Sequence, residues 1–147
     1  MAKHKFTEAQ QQAIQDAIAA AELNTSGEIR VHIASHCKDD PMQHAVTIFE
    51  KLEMHHTEQR NGVLFYVAME DHKLAILGDK GINDVVPPDF WDGIRNLMVN
   101  HFKTGDYTTG LVEGISKAGF QLKVSFPYFD ADKNELSNEI SFQEEVE

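Results

Sequence analysis

The sequence predicts an α/β fold: a three-layer α/β/α sandwich around a small mixed sheet, with its elements in the order α-β-α-β-β-α-α. Three observations predict it. Apolar residues recur at helical spacing before, between and after three short strand-like segments. The helical stretches carry their own start or stop signals. The linker joining the first two strands holds a helix, so a right-handed crossover lays those strands parallel.

The first helix starts at Thr7, which with Gln10 three residues on has the pattern of a capping box. Ile14, Ala17, Ile18 and Ala21 then form its apolar stripe, up to Asn24. From Glu28 to Ala34, Ile29, Val31 and Ile33 alternate with Glu28, Arg30 and His32, the period of a half-buried strand. Asp40-Pro41 starts the second helix, an aspartate cap followed by proline at the first helical position. Met42, Ala45, Val46, Phe49 and Leu52 face it toward the sheet.

Gly62 to Ala68 and Lys73 to Leu77 are apolar runs of strand length around the polar Glu70-Asp71-His72, an antiparallel hairpin. Pro87-Pro88-Asp89 opens a third helix with Phe90, Ile94, Leu97, Met98 and Phe102 on one face, closed by Lys103-Thr104-Gly105. Asp106 caps a fourth. Leu111, Val112, Ile115, Ala118 and Leu122 form its buried stripe until Phe126-Pro127 ends it. Residues 1–127 thus make one domain, and 128–147 an acidic tail.

Charge narrows the range of partners. Twenty-four acidic against thirteen basic residues give a net charge of −11, which disfavours nucleic acid and anionic lipid surfaces. Seven acids in the tail oppose the single Lys133 there, for a net of −6. Cys37 is the only cysteine, so no internal disulfide forms. With neither an apolar span nor the apolar core of a signal peptide, the chain reads as a cytoplasmic monomer.

The segment Gly78-Asp79-Lys80-Gly81-Ile82-Asn83-Asp84 concentrates oxygen donors. Asp79 and Asp84 bring carboxylates and Asn83 an amide, while Gly78 and Gly81 permit positive φ angles that would fold them around one point. A water-facing polar turn is the competing reading. Strand direction adds a second argument. The starts of the first two strands, near Glu28 and Asn61, fall on the same sheet edge as the end of the third, near Asp79. Glu28, Asn61, Asp79, Asn83 and Asp84 become a shared oxygen cluster for a hard divalent cation, calcium or magnesium.

Thr25-Ser26-Gly27-Glu28-Ile29-Arg30-Val31, Arg60-Asn61-Gly62-Val63-Leu64-Phe65-Tyr66-Val67-Ala68, the Gly78 to Asp84 loop and Tyr107-Thr108-Thr109-Gly110-Leu111 together resemble the TPM domain family. The resemblance covers about residues 5 to 125. It implies a three-layer α/β/α fold, calcium or a related divalent ion near the glycine loop, and the phosphatase activity ascribed to plant relatives. Many relatives are exported or membrane-anchored. Where they usually carry glutamate after the second glycine and an apolar residue, this chain has Asn83.

Two phosphatase chemistries fail on spacing. Cysteine-based catalysis requires arginine six positions after the nucleophile, but Gln43 stands there after Cys37. Asp130-Ala131-Asp132-Lys133-Asn134 lacks the Thr or Val of an aspartyl-phosphate enzyme. Metal-activated water is the remaining route, with Arg30 and Arg60 as phosphate contacts. The same tail segment opens like an EF-hand, yet Glu135 occupies the glycine position and Ser141 the bidentate glutamate position. It reads as a solvated tail in which Leu136, Ile140 and Phe142 offer an apolar edge.

His32 and His36 would stand roughly 13 Å apart along a strand, too far to share zinc. A rival site gathers His36, Asp39, Asp40, Glu70 and Asp71 at the opposite sheet edge, although Asp40 is more simply a helix cap. The sequence therefore predicts a cation-binding interaction or protein-maintenance module, meeting an unidentified protein through its acidic tail or through exposed Phe90 and Trp91. The alternative is a metal-dependent phosphatase acting on phosphate esters.

Overall fold

Helices cover both faces of a four-stranded sheet of order β3-β2-β1-β4, as seen in a computed structural model that describes residues 6–128 and 140–143. Helix α1 (Glu8–Glu22) begins with the expected reciprocal cap between Thr7 and Gln10. Strand β1 (Glu28–Ala34) leads into α2 (Pro41–Lys51), whose first turn is capped by Asp40. Strands β2 (Gly62–Ala68) and β3 (Lys73–Gly78) form the hairpin. Next come α3 (Lys80–Asn83), α4 (Phe90–Phe102), α5 (Tyr107–Ser125) and β4 (Ser141–Phe142).

The topology is the predicted one: β1 runs parallel to β2, and β3 returns antiparallel. Side chains alternate between two cores. Ile29, Val31, Ile33, Val63, Phe65 and Val67 face α1, α4 and α5. Leu64, Tyr66, Ala68 and Ala75 face Ala45 and Phe49 of α2.

Three features differ from the sequence expectation. Strand β1 is not half-buried: on the face bearing Glu28, Arg30 and His32 only Arg30 keeps partial exposure, with His32 stacked on Tyr66 of β2 and bonded to Ser141. The glycine loop is not a loop. Its centre winds into α3, with Asp79 as N-cap. The tail also contributes to the sheet, since β4 pairs parallel with β1 through His32 with Ser141 and Ile33 with Phe142. Ile140 enters the core, His32 Nδ1 lies 2.8 Å from Ser141 Oγ, and the tail thereby covers what would be an open strand edge. The acidic and EF-hand-like stretch from Asp130 to Glu139, Leu136 included, and Glu144 to Glu147 lie outside the described residues.

Candidate functional site

The ladder brings three loops to one sheet edge. Glu28 pairs with Gly62 and Val63 with Gly78. The Glu28 amide donates to Asn61 O at 3.4 Å, and the Asp79 amide to Gly62 O at 2.9 Å. Glu28, Asn61 and Asp79 are therefore set side by side by backbone, and all are buried, at 4%, 1% and 7% exposure. Burying such groups is costly unless their polar atoms are satisfied.

Asn61 is satisfied on one side only. Its backbone amide donates to Thr57 Oγ1 at 3.2 Å, and its side-chain Nδ2 to Ser26 Oγ at 3.1 Å. The Ser26 hydroxyl in turn donates to Gln59 Oε1. Asn61 Oδ1, by contrast, is a buried acceptor with no hydrogen-bond partner among the described residues.

Asp79 is held from several directions. Arg60 Nε donates to Oδ2 at 2.7 Å and Nη2 to Oδ1 at 2.8 Å, a two-pronged grip on the carboxylate. The Lys80 amide also donates to Oδ1 at 2.8 Å. Hydrogen bonding to Asp79, then its charge, raises the Arg60 guanidinium above its ordinary pKa. Arg60 itself has a left-handed backbone, φ +53, and its carbonyl accepts from the Gly81 amide at 2.7 Å.

That contact explains Gly81. A Cβ there would lie 2.1 Å from Gln59 O and 2.6 Å from Arg60 O, so the position requires close backbone approach. Neither Gly78 nor Gly81 has the positive φ that the loop reading requires. Gly78 instead leaves room for the indole of Trp91, whose Cζ2 would be 2.6 Å from an added Cβ. Asn83 braces the same corner. Its Nδ2 donates to Gly78 O and its Oδ1 accepts from Trp91 Nε1, each at 2.8 Å.

Asn83 thus has both ends of its amide engaged, and Asp84 stands exposed at the C-cap of α3. Neither joins the buried trio in this arrangement. Arg30 stands two residues on from Glu28, on the same face of β1, and is half-buried there. Arg60, Asp79, His55 and Glu50 line a cleft of about 470 Å³ between α2 and the end of β3. Phe90 and Trp91, expected as an exposed partner surface, are half-buried and pack on the core with ring centroids 4.8 Å apart.

At the opposite edge, the rival cluster comes together in part. His36 lies 3.1 Å from Asp71 and 3.6 Å from Glu70. Asp71 Oδ2 accepts from the Cys37 amide at 2.6 Å, and that bond, followed by the one to His36, depresses the Asp71 pKa. Asp40 caps α2, Asp39 faces His44 at 3.7 Å, and the Lys73 ammonium donates to the carbonyls of Cys37 and Asp39. These are bonds that tie loops together. His32 and His36 go to different partners, in keeping with their strand spacing.

Among the described residues no group of three or more His, Cys, Asp or Glu side chains is arranged to hold a metal, and no helix is long and apolar enough to cross a membrane. Sequence reasoning missed the Arg60–Asp79 pair, the bracing of Asn83 by Trp91, and α3. The one available signal was Asp79 itself, a good N-cap residue ahead of a short polar turn.

Known proteins support the architecture. The NMR structure of BA42 protein from the psychrophilic bacterium Bizionia argentinensis is 49% identical, with a TM-score of 0.87 over 94% of this chain and 95% of that one. The N-terminal domain of a P. gingivalis protein has a TM-score of 0.67 at 19% identity, covering 82% of this chain and 78% of that one. The N-terminal domain of cg2496 protein from Corynebacterium glutamicum has a TM-score of 0.64 at 14% identity, covering 97% and 82%. These last two share the fold. No curated protein matches. The sequence profile of the TPM domain matches residues 2–120, and the chain belongs to the TPM domain family.

Proposed function

We propose that the edge formed by Glu28, Asn61 and Asp79 binds a hard divalent cation, calcium or magnesium, and that the domain works as an ion-stabilised interaction or maintenance module. The observation that carries this reading is Asn61 Oδ1, a buried oxygen with no hydrogen-bond partner among the described residues, on the loop between two buried acidic side chains. A buried acceptor left in that state calls for an explanation, and an ion is one. The donor set fits hard-cation chemistry, since all three groups offer oxygen.

Arg60 defines what binding must overcome. Its guanidinium neutralises Asp79 while no ion is bound, so a cation drawing on Asp79 competes with it. Half of the Arg60 side chain is exposed, at 48%, which leaves it room to swing into water. A bound cation would supply positive charge to the two carboxylates and a partner for Asn61. Asn83 and Asp84 would contribute only if the Trp91 bond opened or α3 unwound.

Calorimetric titration of metal-free protein with calcium and with magnesium tests the proposal. Saturable binding of one ion, weakened about tenfold or more by Asn61→Ala, is expected. Equal affinity in that variant would remove Asn61 from the site.

A second reading, metal-dependent hydrolysis of phosphate esters, is favoured by the cleft of about 470 Å³ beside Asp79, where Arg60 and His55 line the wall. Its test is turnover of p-nitrophenyl phosphate by cation-loaded protein, abolished by Asp79→Ala.

A further inference from the structure

At the far end of the strands from Asp79, the β2–β3 hairpin and helices α4 and α5 enclose a second cavity of about 320 Å³. Val67, Leu74, Val99 and Phe102 supply apolar wall. Among the described residues its polar groups are Arg95, Lys103, His72 and Tyr107, with no acidic side chain. In a chain of net charge −11, a lining that carries Arg95 and Lys103 and, among the described residues, no acid is against the average.

Three acids near the lining in sequence are committed elsewhere, while Asp92, one turn before Arg95 on α4, lines a neighbouring cavity with it. Asp71 accepts from the Cys37 amide and faces His36, Asp106 accepts from the Thr109 amide, and Glu113 pairs with His101. Arg95 and Lys103 have no side-chain hydrogen bond or ion pair among the described residues. Their charges are available to a guest.

His72 adds an independent observation. It sits in the hairpin turn with φ +54, a conformation that costs a non-glycine residue on the order of 1 kcal/mol and that asparagine or glycine would adopt more readily. The imidazole kept there meets Tyr107, whose hydroxyl lies 3.3 Å from Nδ1. Tyr107 belongs to the Tyr107 to Leu111 segment, which the cation edge does not use.

We propose that this cavity binds a small amphipathic carboxylate, its hydrocarbon body against Val99, Phe102 and Leu74 and its carboxylate between Arg95 and Lys103, beside the paired His72 and Tyr107. The volume suits a ligand of that size, and an apolar pocket with a few convergent polar groups is the usual form of a small-molecule site. The site is separate from the cation edge and does not depend on it.

Octanoate is the probe, titrated into the full-length protein with amide shifts followed by NMR. The expected result is saturable shifts at Leu74, Arg95, Val99 and Phe102, with octanamide binding roughly tenfold or more weakly for lack of a charge-assisted bond. R95Q/K103Q, whose altered side chains are exposed, should keep the native spectrum and lose the preference for octanoate. Equal binding of octanoate and octanamide, an unchanged preference in R95Q/K103Q, or shifts scattered over the surface would overturn the proposal.

Discussion

Arg60 holds the turn after β3 twice, by its side chain to Asp79 and by its backbone to Gly81. Two of the guanidinium nitrogens, Nε and Nη2, reach the carboxylate, at 2.7 and 2.8 Å, while Gly81, two residues beyond Asp79, donates its amide to Arg60 O at 2.7 Å. The loop before β2 and the turn after β3 consequently behave as one corner. Whatever binds Asp79 acts on both.

The ion pair predicts opposite effects of one substitution. Arg60→Ala leaves the buried Asp79 carboxylate without its cation, so ion-free protein should melt at a lower temperature. The same change removes the competitor for Asp79, so calcium affinity should rise by about fivefold or more. Thermal melts and calorimetry with and without calcium check both parts.

Gly81 predicts a backbone clash. Gly81→Ala places a methyl group against two backbone oxygens that cannot rotate away, and should cost about 2–4 kcal/mol. Gly93 is the control. It lies within α4, nothing comes within 4 Å of an added Cβ, and Gly93→Ala should stabilise by roughly 0.5–1 kcal/mol. Urea unfolding of the two variants separates close approach from a general preference for glycine.

Strand β4 predicts that part of the tail is structural. Ile140 is 9% exposed within the main core, and Ile140→Ala should lose about 2 kcal/mol, the lower end for a buried isoleucine. An equilibrium unfolding curve superimposable on wild type would detach β4 from the domain.

Asp71 predicts an acid-sensitive hairpin. Its pKa is lowered by the Cys37 amide and then by His36, so between the folded and unfolded values the unfolded chain binds more protons. The contribution is present above the unfolded value of about 3.9 and is lost as pH falls through the lower folded value. Asp71→Asn should therefore be less stable than wild type at neutral pH and converge with it in strong acid. Urea midpoints measured from neutral pH down to strong acid show whether the curves meet.

The parts of this fold written in short-range pattern could be read directly. Thr7 with Gln10, Asp40 with Pro41, and Gly105 before Asp106 each mark a helix boundary, because caps and breakers act over three or four residues. The meeting of Glu28, Asn61 and Asp79 followed from strand direction alone. The chemistry at that meeting point did not. Arg60 and Asp79 are 19 residues apart, and only packing decides that a guanidinium and not water faces the carboxylate. Gly78 at the end of β3 and Gly81 in α3 looked like turn residues although each makes room for a neighbour. Strand β4 pairs through two residues in a polar stretch, too short for any alternation to register.

The most direct measurement is an NMR titration of metal-free protein with calcium and then magnesium, following the backbone amides and the Asn61 side-chain amide. The account predicts saturable shifts at Glu28, Asn61 and Asp79, together with movement of the Arg60 guanidinium resonance as its grip on Asp79 is released. Shifts confined to the acidic tail, or saturation that leaves Asn61 and Arg60 unmoved, would contradict it.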